Sequence, residues 1–123
     1  MSEEKLPSDD AASLLALTDA SRLQFFMSHE GNRMYMILMG ELDLATAPVL
    51  TRAFRDVSAE HDGDVILDIG LVTFLNSTGL SLFVVQHKDL QACGRKLTIY
   101  APTPMARRLF QITGLTRILR IEP

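Results

Sequence analysis

A chain of 123 residues and 13.7 kDa has the size of one domain and is too short for two independent cores. Apolar residues make up 47% and charged residues 22%, which excludes wholesale disorder and collagen-like sequence. The formal charge is −3, but five acids against Lys5 give residues 1–20 a charge of −4, so the other 103 residues sum to +1 and offer no basic face for nonspecific nucleic-acid binding.

No run approaches the roughly 20 apolar residues of a membrane span, and the opening MSEEKLPSDD is acidic where a signal peptide is basic and then apolar. A single cysteine, Cys93, excludes an intrachain disulfide or a cysteine-cluster metal site, and His29, His61 and His87 are scattered and read as surface residues. The expectation is a cytosolic protein without metal or cofactor.

In chain order, residues 1–21 read as an acidic extension, partly disordered, with a short helix from Asp9 whose Leu14, Leu15 and Leu17 need cover. That cover is either the domain itself or a second copy or partner. Residues 22–123 form the domain. Leu23–Met27 and Met34–Met39 read as strands of a hairpin around Glu30-Gly31-Asn32. The second run is apolar throughout, which predicts a central strand covered on both faces.

Thr46-Ala-Pro48 reads as a cap followed by proline in the first helical turn, and Val49, Leu50, Ala53, Phe54 and Val57 form one apolar stripe of a helix ending near Glu60. After a turn at His61–Asp64, Val65–Ile69 reads as a buried parallel strand. A second helix spans Thr78 to Ala92, stopped by Cys93-Gly94, and Lys96–Tyr100 is a fourth strand. Thr103-Pro104 opens a third helix with Met105, Leu109, Phe110 and Ile112 on its apolar side. Gly114 ends it, and Arg117–Ile121 is the last strand. The order β-β-α-β-α-β-α-β predicts an α/β domain with a mixed, mostly parallel sheet of about five strands and three or more helices packed against it.

Neither a G-x-S-x-G elbow, a Cys–His pair nor a glycine-rich phosphate loop is present, so no enzyme motif is found. Val72–Leu80 instead places Asn76, Ser77 and Thr78 where a strand hands over to a helix, at the carboxyl edge where open α/β sheets bind ligands and partners. Ser77 can serve as N-cap, and a phosphate on its oxygen would meet the positive helix end, gaining about 0.3–1 kcal/mol. The plainer alternative is that all three residues only cap the helix. Gly79 reads as a close-packing residue. Gly40-Glu41-Leu42-Asp43 supplies two acids that read either as ordinary loop carboxylates, Asp43 bonding turn N–H groups, or as an acidic rim beside Ser77. Arg107, Arg108, Arg117 and Arg120 read as a solvated face or as partners in ion pairs rather than as a nucleic-acid patch.

Three segments, Gly40–Asp43, Phe74–Leu80 and Arg108–Leu115, fall in the order and spacing of STAS domains, and the chain from about Leu23 to Glu122 resembles the bacterial anti-sigma-factor antagonists among them. The resemblance implies a non-enzymatic phospho-switch. The unmodified protein binds an anti-sigma factor that is also a serine kinase and frees the sigma factor; phosphorylation of Ser77 ends binding, and a serine phosphatase restores it. Thr78 is a neighbour rather than the acceptor. Glu41, Asp43, Thr46, Asn76, Ser77, Thr78 and Gly79 are the implied partner-contact residues. One departure is Asn76, where the family usually has Asp: capping ability is kept and a charge is lost. STAS domains that serve as scaffolds in stress-sensing complexes, or as accessory subunits of lipid transporters, imply the alternative role without phosphorylation.

Overall fold

The computed structural model describes residues 22–60 and 62–123. The expected extension, its leucine-bearing helix and His61 lie outside the described residues. The chain opens with β1 (Leu23–Glu30) and β2 (Arg33–Leu42), an antiparallel pair turned at Gly31-Asn32, with Gly31 in the left-handed region that this turn requires. Then follow α1 (Ala47–Glu60), β3 (Asp64–Leu75), α2 (Ser77–Ala92), β4 (Leu97–Tyr100), α3 (Pro104–Thr113), a 3-10 turn at Leu115–Arg117 and β5 (Arg120–Glu122). The five strands lie in the sheet order β1-β2-β3-β4-β5, and every pair after the hairpin is parallel. Element order and fold class are therefore as the sequence predicts.

One face of this sheet carries the core. Met34, Met36, Leu38 and Leu42 of β2, Val65, Leu67 and Ile69 of β3 and Leu97 and Ile99 of β4 are buried together with Leu50, Phe54 and Val57 of α1 and Phe83 and Leu90 of α2. Phe83 meets Phe110 of α3 with ring centroids 6.3 Å apart, a spacing at which tilted aromatic pairs attract.

The expectation that β2 is covered on both faces fails. Burial alternates along it, and Ile37 stays exposed on the side away from the core. β3 alternates in the same way and is longer than expected, because its pairing with β2 continues through two register shifts to Leu42↔Leu75. In α3 the inward residues are Ala106 and Phe110, with Leu109 partly covered, whereas Met105 and Ile112 face outward. The closing strand starts only at Arg120, since Leu115–Arg117 coils as a 3-10 turn. Gly94 and Gly114 do end α2 and α3 in the left-handed conformation.

Candidate functional site at the carboxyl edge of the sheet

The parallel register of β2 and β3 places Glu41 beside Phe74 and Leu42 beside Leu75, so the loops that follow both strands emerge at one edge of the sheet. From β3 the chain passes directly into α2. Asn76, in extended backbone, is the N-cap: its Oδ1 accepts from the N–H of Thr78 at 3.1 Å and of Gly79 at 3.5 Å. The expected N-cap, Ser77, is instead the first helical residue. Its side chain is exposed, because the carboxamide one position earlier already occupies the cap.

Gly79 is buried. A Cβ there would lie 2.5 Å from Cδ1 of Leu75 and 2.9 Å from the Leu42 side chain, so hydrogen at this position lets the helix start sit against both strand ends. Gly79 thus sets the site's backbone and does not itself face a visitor. Thr78 is half-buried.

The loop after β2 is closed on itself. Thr46 is fully buried; its Oγ1 donates to the Glu41 carbonyl at 2.8 Å and accepts from the Asp43 N–H at 3.0 Å. Its expected roles as side-chain cap and partner contact are both replaced by this internal bracing. Asp43 Oδ1 accepts from the N–H groups of Ala45 and Thr46 at 3.0 and 3.1 Å, as the plainer reading of that acid has it. Arg22 binds both acids, donating from Nε to Glu41 Oε1 at 3.0 Å and from Nη2 to Asp43 Oδ2. The rim beside Ser77 is therefore a trio in which one guanidinium offsets half the charge of two carboxylates, rather than two bare acids. Partial desolvation of Asp43 would raise its pKa, yet the Thr46 N–H and the attraction and hydrogen bond of Arg22 hold it below the usual range.

Beside Ser77 lies a groove of about 450 Å³ walled by Leu80, Ser81, Val84 and Val85 of α2, by Thr113 at the end of α3 and by Leu115 beyond it. Val85 is 49% exposed, and Phe74, on the strand just before the cap, is 46% exposed. The edge thus joins the exposed Ser77 hydroxyl, a positive helix end and a largely apolar trough. Residue-type reasoning missed the groove and missed Arg22. The groove combines two distant segments, and Arg22 reaches the acids only through the Leu23↔Gly40 pairing.

The α/β sheet thus presents a hydroxyl on the first helical turn after its middle strand. The model of the STAS domain matches residues 27–123. The anti-sigma-B factor antagonist of Staphylococcus aureus (strain NCTC 8325 / PS 47) is 33% identical over 83 residues, covering 68% of this chain and 77% of that protein. The fold is shared with the crystal structure of an anti-sigma factor antagonist from Mycobacterium paratuberculosis, with a TM-score of 0.72, 24% identity and coverage of 82% of this chain and 86% of that one. It is shared too with the Bacillus cell fate determinant SpoIIAA in its phosphorylated form, with a TM-score of 0.62, 20% identity and coverage of 80% and 90%. The chain belongs to the STAS domain family and is of the anti-sigma-factor antagonist type.

Proposed function

We propose that this chain is an anti-sigma-factor antagonist whose unmodified form docks an anti-sigma factor with serine-kinase activity at the Ser77 edge, and whose phosphorylation at Ser77 ends that docking. The observation that carries the reading is the exposed Ser77 hydroxyl on the first turn of α2, flanked by the apolar groove. Family membership and the curated antagonist relative support it, and one structural neighbour is described in a phosphorylated form.

The modification this reading calls for is a phosphoryl transfer. The Ser77 oxygen attacks the γ-phosphorus of ATP held by the kinase, the bond to the ADP oxygen breaks, and the hydroxyl proton leaves to a base of the kinase. The product carries about −1.5 to −2 charge beside Leu80 and Val84, where an apolar partner surface would have to desolvate it. A serine phosphatase that hydrolyses the ester restores the neutral surface. No helix among the described residues is long and apolar enough to cross a membrane, which suits action in the cytosol.

Glu41, Asp43, Asn76 and Thr78 form the rest of the contact edge; Thr46 and Gly79 shape it from beneath. The test is incubation with the cognate kinase and ATP, followed by intact mass and binding assays. A gain of one phosphoryl mass in the wild type, none in Ser77→Ala, and loss of kinase binding on modification are expected. A protein that binds its partner without ever gaining mass would instead be a scaffold.

A further inference from the structure

At the opposite end of the sheet, where β3, β4 and β5 begin, a cavity of about 470 Å³ lies between the last turns of α2, the Gly94–Leu97 connection and the Ile118–Arg120 segment. His87, Arg95, Lys96 and Arg120 line it, and none of the described lining residues is an acid. Arg95 is only 9% exposed. Its Nε donates to the Gly63 carbonyl at 2.8 Å, which fixes the guanidinium plane, while its Nη2 is buried without a hydrogen-bond partner. Nδ1 of His87 is buried and unpartnered too, which corrects the reading of this histidine as a plain surface residue. Among the described residues these are the two buried side-chain nitrogens without a partner, and both belong to residues that line one cavity.

Buried donors in folded proteins are almost always paired, and a guanidinium has only donors to offer, so the partner that fits Arg95 is an acceptor. The positive charge of Lys96 and Arg120 at the same wall calls for an anion. The four groups approach from three elements, α2, the loop before β4, and β5, which suits a tetrahedral oxyanion better than a planar carboxylate. Leu97 and Ile118 complete the wall with apolar surface on which an organic substituent could rest. We propose that this cavity binds a phosphate-type oxyanion, either free or as the phosphoryl end of a small ester. It is a second site, at the other end of the strands from Ser77, and it stands whether or not Ser77 is phosphorylated.

The test titrates the full chain with inorganic phosphate and, separately, with phenyl phosphate, against chloride at matched ionic strength, and follows backbone amide NMR shifts. Saturable shifts at residues 94–97 and 118–120, with little change at residues 76–79, are expected. Saturation with inorganic phosphate identifies the free anion as sufficient, and saturation with phenyl phosphate alone identifies the ester; both uphold the site. In the doubly substituted Lys96→Gln, Arg120→Gln chain, affinity should fall by about tenfold or more. Both side chains are exposed, so circular dichroism should show an unchanged fold. Shifts that match chloride in the wild type, or an affinity unaltered by the double substitution, would overturn the proposal.

Discussion

Two residues decide whether the Ser77 edge keeps its shape, and both are buried. Thr46 makes one donated and one accepted hydrogen bond while fully buried, so Thr46→Val strands the Asp43 N–H and the Glu41 carbonyl. We expect a loss of about 1–3 kcal/mol, read as a lower urea midpoint at unchanged slope. Gly79→Ala gains up to about 1 kcal/mol of helix propensity but drives a methyl group into Leu75 and Leu42, a crowding that costs about 1–3 kcal/mol, so the net effect in the same urea assay is a loss. Asp43 adds a pH signature. Its folded-state pKa lies below the unfolded value near about 3.9, so its contribution is fully present above that value and disappears as pH falls through the folded one. Asp43→Asn should therefore flatten the acid limb of stability measured by urea unfolding as a function of pH. Of these roles, close packing at Gly79 was legible in the sequence, since glycine in a first helical turn has little other use. The burial of Thr46 was not, because it depends on a carbonyl five residues back in a folded loop, and a Thr before Ala-Pro reads equally well as a cap.

At the level of elements, α2 is built to accept a charge at its first turn without unfolding. Asn76 holds the cap, so Ser77 Oγ is not required there, and the unpaired N–H groups of the first turn favour an anion. Ser77→Asp should leave the fold intact and raise stability by about 0.3–1 kcal/mol at low ionic strength, while kinase binding falls by an order of magnitude or more. Paired thermal melts and binding titrations check both halves, and equal binding by the two proteins would count against the switch. The helices were the legible elements: cap, proline and left-handed glycine signals marked α3 at both ends, and Gly94 marked the end of α2. Strand lengths were less so. β3 runs on to Leu75 because β2 continues to pair with it, and Arg117, which reads as the start of the last strand, closes a 3-10 turn so that the strand begins at Arg120; in both places long-range pairing decides what local preference leaves open.

At the scale of the whole sheet, the described residues leave one face sealed and one open. The apolar run Met34–Met39 contains no information about which of its two sides the helices cover, and this is why alternate residues expected in a core, such as Ile37, lie at the surface. Register puts Phe26 opposite Ile37 and Met39 beside Leu71 on that open side, with Phe26 56% and Leu71 54% exposed. The helix side holds Phe54, Phe83 and Phe110, all within a percent of full burial. Stability should therefore divide by face rather than by residue type. Phe110→Ala removes a ring packed against Phe83 and should cost about 3–5 kcal/mol, whereas Phe26→Gln, an equally drastic change of polarity, should alter the unfolding free energy by no more than about 0.5 kcal/mol. Chemical denaturation of both variants distinguishes this one-sided core from a sheet sealed on both sides, in which the two phenylalanines would be equally costly to lose.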